Sequence, residues 1–316
     1  LEDDLYRRDF TMNAMALRLP SLELVDPYNG ARDLGEGEVR TPGAPSMSFS
    51  DDPLRMMRAA RFASQLGITV AKDVLEAMTE MSGRIEIISA ERVRDELVKL
   101  VNGIDPRAGI DLLVETGLAD LVLPEVSALR LEIDEHHRHK DVYQHSLTVL
   151  EQAMGHETDA DGPVPGPDFV LRFAALMHDI GKPATRKFEP SGAVSFRHHD
   201  VVGAKQVKAR MRALRFDNDT IKAVARLVEL HMRFYGYGDA GWSDSAVRRY
   251  VHDAGDLLER LHRLTRSDVT TRNRKKADRL SFAYDDLEAR ITEISEKEEM
   301  AAVRPDLNGQ QIMEQL

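Results

Sequence analysis

Residues 176–183 read LMHDIGKP. An apolar stretch, FVLRFAALM (169–177), runs into His178 and Asp179, with Gly181 just beyond. A His and an Asp side by side at the end of a buried helix can both turn onto one ion. One imidazole nitrogen and one carboxylate oxygen suit a borderline or hard divalent metal. Two ligands do not complete a site, so others must come from elsewhere in the chain. His145 in VYQHSLTVL, His199 in RHHDVVGA, His231 in LVELHM and Asp268 in TRSDVTTRN stand among apolar or small residues, each on its own predicted helix. Singly, any of them reads as an ordinary core or surface group. As the ordered set H…HD…H…H…D they read as a metal centre.

A second stretch, SDDPLRMMRAARF (50–62), is cationic. Asp52 before Pro53 is the arrangement of a helix N-cap and first helical residue. At about 100° per residue, a step of three moves each side chain back by about 60°. Arg55, Arg58 and Arg61 therefore fan across one broad face. Solvated helices usually intersperse acids four residues away, yet no acid follows here until Asp73. A same-sign row calls for an anion, and guanidinium suits phosphate and base edges. Chemistry alone leaves phosphate binding and a solvated face level. RRDFTMNAMA (7–16) adds Arg8 and Asp9 ahead of Thr11 and Asn13, a weak sign alone because Arg–Asp pairs are common on surfaces.

The elements that must position these groups are mostly helical. A helix is predicted from Pro53 to about Leu66, stopping at Gly67. Others are expected at 71–81, 90–101, 106–116, 140–154, 169–178, 201–213, 218–231, 244–251, 255–267 and 273–298. The front is mixed: RRDFTMNAMALRL reads as a short helix into a strand, and LELVDPYNGARDL as strand, turn and short helix. TPGAPS (41–46) reads as a linker and DADGPVPGPD (159–168) as a loop. The expected fold class is mostly α, with the C-terminal part of an α/β head in front, a helical neck and an all-α domain behind.

Composition bounds the rest. The 316 residues are 42% hydrophobic and 31% charged, as in a globular chain long enough for about two domains. The net charge of −11 argues mildly against a nucleic-acid binder, although a local basic stripe is what meets phosphate. There is no cysteine, so any metal must be held by His, Asp or Glu. None of the 11 histidines falls in the first 135 residues. No apolar run is long enough to span a bilayer, so no membrane partner is expected and the expected compartment is the cytoplasm.

The histidine set resembles the HD-domain metal-dependent phosphohydrolases. The resemblance implies His145, His178, Asp179 and Asp268 as the main metal ligands, and His199 (alternatively His198) with His231 as completing a second site. It implies Lys182 near the phosphate, a catalytic role for Asp179 and Lys182, and a divalent ion (Mg, Mn, Ni, Co or Fe) that activates water against a phosphoester. RRDFTMNA, DPYNGARDL, DDPLRMMRAARFASQLG and ERVRDEL (91–97), in that order, resemble the bacterial CCA-adding tRNA nucleotidyltransferases and their poly(A) polymerase relatives. That resemblance implies that Arg8 and Asp9 contact ribose and phosphates. It implies that Asp52 and Arg55 read the Watson–Crick edge of CTP or ATP, and that Arg58 and Arg61 contact the triphosphate. Asp51 stands where many relatives have Glu.

The family's glycine-rich GG…RD segment with a nearby Asp-x-Asp, whose carboxylates hold Mg2+ for nucleotidyl transfer, does not occur in this sequence. The chain opens on Leu1 within a charged pattern and is expected to be a fragment that does not itself polymerise. The expected division is head remnant 1–45, neck and nucleotide and RNA-binding region 46–130, HD domain 135–300, and a further segment beginning at 301–316. The implied partners are tRNA, CTP and ATP, with TRNRKKADR (271–279) either adding basic charge for RNA or forming a solvated helix face. Poly(A) polymerase shares nearly all these motifs. An RNA- or nucleotide-binding protein whose HD domain is the only enzyme stands as a third reading.

Overall fold

The structure, a computed structural model, describes residues 1–130, 141–191, 194–237, 241–271 and 273–302. Arg272 of the basic cluster, residue 140 at the expected start of a helix and the segment 303–316 lie outside the described residues. In chain order the front carries α1 (Glu2–Tyr6), β1 (Ala16–Arg18), β2 (Glu23–Val25), α2 (Gly30–Glu36), β3 (Glu38–Val39), α3 (Pro45–Asp51), α4 (Leu54–Leu66) and β4 (Thr69–Val70). Then come α5 (Lys72–Met81), α6 (Ala90–Val101), α7 (Pro106–Glu115), α8 (Leu118–Val122) and α9 (Pro124–Ser127). The second half carries α10 (Val142–Gly155), α11 (Phe169–Met177), α12 (Lys182–Thr185), β5 (Lys187–Phe188), β6 (Val194–Ser195), α13 (His199–Ala213) and α14 (Asn218–Leu230). The last helices are α15 (Asp244–Ala254), α16 (Leu258–Ser267) and α17 (Arg274–Ala302). The mostly α class and the mixed front are as the patterns predict.

The chain divides into two compact units. One comprises Leu1–His231 with Glu259–Thr270, the other Met232–Leu258 with Thr271–Leu316. In the first, α4 packs on α6 and α7, α10 on α11, and α13 on α14, while α11 touches both α14 and α6. The core helix α11 buries every residue from Leu171 to Met177, which is why its pattern reads as apolar all round. Its single cation, Arg172, is held by Glu157 through Nε and Nη2 at 2.6 and 2.7 Å and donates to the carbonyls of Val101 and Gly103. A buried guanidinium thus ties α11 to the end of α6. In the second unit, Phe234 stacks on Tyr284 and Asp244 pairs with Arg290 at 2.7 Å.

Helix α4 ends at Gly67, whose φ of +63° is the left-handed cap expected after Leu66. Its start differs by one position: Pro53 takes the cap site and Asp52 closes α3. The Asp52 carboxylate still accepts the Leu54 N–H at 3.1 Å. TPGAPS is not all linker, because α3 begins at Pro45, where a proline's missing N–H costs nothing. The expected helix 255–267 is broken into a 3-10 turn (Gly255–Leu257) and α16. The strands β3, β4, β5 and β6, two residues each, are too short to leave a periodic signal.

Candidate functional sites

The metal-type residues converge. α10 presents His145, the end of α11 His178 and Asp179, the first residue of α13 His199, the end of α14 His231, and the residue after α16 Asp268. They form two clusters of three, His145–His178–Asp268 and Asp179–His199–His231, with the ligand atoms of each within 4.8 Å of one another. Asp179 joins them: its Oδ2 lies 3.2 Å from His178 Nε2 and 3.7 Å from His145 Nε2, and its Oδ1 lies 3.3 Å from His199 Nε2. Asp268 Oδ1 lies 2.9 Å from His145 Nε2 and 3.7 Å from His178 Nε2. Lys182 Nζ sits 2.5 Å from Asp179 Oδ2.

The ring orientations come from the helices themselves. Nδ1 of His178, His199 and His231 each lies 2.6–2.8 Å from the carbonyl three residues earlier, on Ala175, Phe196 and Val228. A ring that donates Nδ1–H backwards leaves Nε2 bare and aimed at the cluster. His145 Nδ1 instead meets Thr270 Oγ1 at 3.2 Å. His198 is exposed at φ +62°, so His199 is the residue of this pair that reaches the site.

The arrangement fits a divalent metal on its own chemistry. His178 Nε2 is buried with no hydrogen-bond partner. His199 and His231 set Nε2 against Nε2 at 3.2 Å, and two bare lone pairs at that distance call for a cation between or beside them. Burial pushes His231 down to about 4, with His178 adding to the effect, so it is a neutral ligand at neutral pH. Burial alone would raise the Asp179 carboxyl, but His178, His199 and Lys182 hold it well below the usual carboxylate range. His145 and His178 do the same for Asp268 against its burial. Burial opposes protonation of His178, yet Asp179 and Asp268 raise it.

The cationic residues converge on a second place. Arg8, Asp9, Asp52, Arg55, Arg58 and Arg61 all line one cavity of about 780 Å³. Arg7, Asn13, Phe62, Gln65, Glu96 and Lys99 complete its wall. Six cationic side chains there face three carboxylates, a local positive excess in a chain whose net charge is −11.

Each key group is already tethered. Arg58 Nη2 pairs with Asp9 Oδ2 at 2.7 Å, and Asp9 Oδ1 accepts from the Phe10 N–H and Asn13 Nδ2. Arg55 donates to Ser48 Oγ at 2.8 Å and to the Arg7 carbonyl at 2.6 Å. Asp52 Oδ2 accepts from Arg92 at 2.8 Å. Arg61 is buried, with Nε 2.5 Å from Glu96, Nη1 donating to Gln65 at 2.6 Å and its guanidinium 3.7 Å above the Phe62 ring. Burial lowers the Arg61 pKa and Glu96 opposes that. Arg58 Nε is buried without a hydrogen-bond partner.

Sequence reading did not single out Glu96, Arg92, Lys99 or Phe62. Glu96 and Arg92 lie inside ERVRDEL. An i, i+4 acid–base spacing there looks like ordinary surface charge, and only packing of α6 on α4 turns it inward.

Three family models match the chain: the poly A polymerase head domain over residues 1–40, the probable RNA and SrmB-binding site of polymerase A over 67–129, and the HD domain over 142–290. An A-adding tRNA nucleotidyltransferase of Deinococcus radiodurans is 36% identical, covering 99% of this chain and 70% of that protein. A multifunctional CCA protein of Neisseria gonorrhoeae is 35% identical over 75% of this chain and 55% of its own length. The chain therefore spans about two thirds of the first relative and about half of the second. Among solved structures, the Bacillus stearothermophilus CCA-adding enzyme in complex with CTP superposes with a TM-score of 0.61 at 23% identity, covering 92% of this chain and 59% of that one. The Thermotoga maritima CCA-adding enzyme complexed with tRNA gives 0.58 at 18% identity, covering 99% and 64%. These two likenesses concern the fold.

Proposed function

This chain belongs to the tRNA nucleotidyltransferases that carry an HD domain, and we propose that it supplies the nucleotide-selecting pocket and a phosphohydrolase of a CCA-adding enzyme. The observation that carries the first half is the convergence of Arg8, Asp9, Asp52, Arg55, Arg58 and Arg61, from two distant stretches of sequence, on one cavity. Asp52, at the junction of α3 and α4, offers acceptors and Arg55, in the first turn of α4, a donor fork, a pair able to read the edge of cytosine or adenine. Arg58 carries the triphosphate contact, exchanging Asp9 for phosphate oxygens at a cost set by that ion pair. Arg61, braced by Glu96, adds positive charge from within the wall. Arg8 and Asp9 serve the ribose and the phosphates. The substrates are CTP, ATP and the 3′ end of tRNA, transfer uses Mg2+, and the compartment is the cytoplasm. Among the described residues no helix is long and apolar enough to cross a membrane.

In the HD domain, His145, His178 and Asp268 hold one divalent ion and Asp179, His199 and His231 complete a second position. A metal held by such a set makes water more acidic and offsets phosphoryl charge. The chain's own part is to keep His231 neutral and the imidazoles aimed, to share Asp179 between the clusters, and to hold the Lys182 cation beside Asp179, where a phosphate oxygen competes for it.

Titration of the chain with CTP, ATP and GTP tests the pocket. CTP and ATP should bind comparably and GTP about tenfold more weakly, and Arg55→Ala should erase the difference, as loss of a bidentate base contact does. Equal binding of GTP would remove the template role of Asp52 and Arg55. The relative matched along 99% of this chain is named A-adding, which favours a second reading, selection of ATP alone; CTP binding no tighter than GTP would establish it. For the HD domain, hydrolysis of 2′,3′-cyclic AMP with a panel of Mg, Mn, Ni and Co should be metal-dependent and lost in His178→Ala.

A further inference from the structure

The arginine pocket has a second wall, supplied by α6. α4 and α6 run alongside each other in the same direction: Arg92 meets Asp52, Glu96 meets Arg61, and Ser64 Oγ donates to the Leu100 carbonyl at 2.6 Å. On α6, Arg92, Glu96 and Lys99 stand at i, i+4 and i+7, one face of the helix. From Arg92 to Lys99 the helix rises about 10 Å, passing from the Asp52 end of the pocket to the Arg61 end. Glu96 and Lys99 line the cavity itself, and Lys99 lies beyond Glu96, on the side away from Asp52.

Lys99 is loosely held. Each carboxylate of the cavity has a nearer partner: Asp9 has Arg58 at 2.7 Å, Asp52 has Arg92 at 2.8 Å, and Glu96 has Arg61 at 2.5 Å. Lys99 Nζ stands 3.5 Å from Glu96 Oε1, and its side chain is 52% exposed. So long and exposed a pair contributes little, and Lys99 leaves it at small cost. Arg61 does not have that freedom. Its pair with Glu96 is buried, and parting the two strands both charges. An anion that reaches the Arg61 end therefore draws Lys99 toward it rather than Arg61. An ammonium on a flexible four-carbon stem meets phosphate as a point charge and needs no fixed fork.

We propose that Lys99 binds the β- and γ-phosphates of a nucleoside triphosphate whose base lies against Asp52 and Arg55. The assignment rests on the nucleotide reading of this pocket. Arg58 and Lys99 then hold the triphosphate from α4 and α6, while Arg61 stays with Glu96.

Calorimetric titration of the full chain in EDTA with CTP, CMP and inorganic tripolyphosphate tests this. Lys99→Met keeps the stem and drops the charge. It should weaken CTP and tripolyphosphate about tenfold, the scale of one lost charge-assisted hydrogen bond, and leave CMP unmoved. Lys99→Arg should restore the affinity for CTP, and both variants should melt with the wild type. Wild-type CTP affinity in Lys99→Met would overturn the assignment and leave the pocket in place. Equal losses for CTP and CMP would overturn it as well, placing Lys99 at the α-phosphate. Tripolyphosphate binding the wild type as tightly as CTP, and Lys99→Met more weakly, would retire base reading and keep the phosphate site.

Discussion

The two sites satisfy their polar groups in opposite ways. In the HD cluster each tethered imidazole is oriented by a carbonyl of its own helix or the turn before it, three residues back. The orienting bonds point away from the site, and the bare nitrogens point into it. In the arginine pocket the tethers are the site itself: Arg58 on Asp9, Arg61 on Glu96, Asp52 on Arg92. A metal entering the first finds imidazole nitrogens that make no orienting bond, and competes with Lys182 and the histidines for the two carboxylates. A nucleotide entering the second must displace protein carboxylates. On the proposed reading the first suits a small ion and the second a large anion bound by exchange.

The strongest way to break this comparison is Asp179→Ala. Asp179 lies within 3.7 Å of ligand atoms of both clusters, so on the proposed reading phosphoester hydrolysis should fall by at least about 100-fold. Metal content by elemental analysis should fall with it, while CTP affinity is unmoved. Retained metal would mean that the two clusters do not share a ligand. Next comes Glu96→Ala, which leaves the buried Arg61 cation unpaired. Stability by denaturant titration should drop by about 3 kcal/mol, whereas the exposed Arg8–Asp4 pair should be dispensable within about 0.5 kcal/mol.

Acid should separate the sites further. His231 titrates near 4 when folded, below the ordinary 6.5 of an unfolded histidine. As pH falls from about 6.5 to 4, the unfolded chain takes a proton that the folded chain refuses. Stability of the metal-free protein should therefore fall through that window, by up to about 3 kcal/mol from this group. The raised His178 works in the opposite sense. Its stabilisation is fully present at acid pH and is lost as pH rises through its folded pKa. In His231→Leu the acid slope should flatten, and an unchanged slope would place the titrating group elsewhere.

Arg55→Ala should weaken CTP and ATP binding about tenfold with little change in melting temperature, since Arg55 hydrogen-bonds only at the pocket edge. The smallest effect sharpens the contrast most. Raising salt should lower nucleotide affinity, because the cavity is open to counterions, and should leave metal retention by the buried cluster nearly unchanged.

Much of this was legible without coordinates. The left-handed stop at Gly67 and the apolar run of α11 depend on energies acting within one helical turn, which the local sequence carries directly. The H…HD…H…H…D order and the succession RRDFTMNA, DPYNGARDL, DDPLRMMRAARFASQLG and ERVRDEL are likewise sequence properties, and the family resemblance rests on them. The partners were not legible. Asp52 meets Arg92 40 residues on, and His145 meets Thr270 125 residues on. Nothing local distinguishes those residues from surface charge or a loop threonine. His198 and His199 are adjacent and chemically identical; only the start of α13 at His199 turns one inward and the other out. Sequence by itself determined which groups could bind a metal or an anion. Tertiary packing alone decided which of them face each other and which carboxylate is shared, because those choices are set by contacts between helices rather than within them.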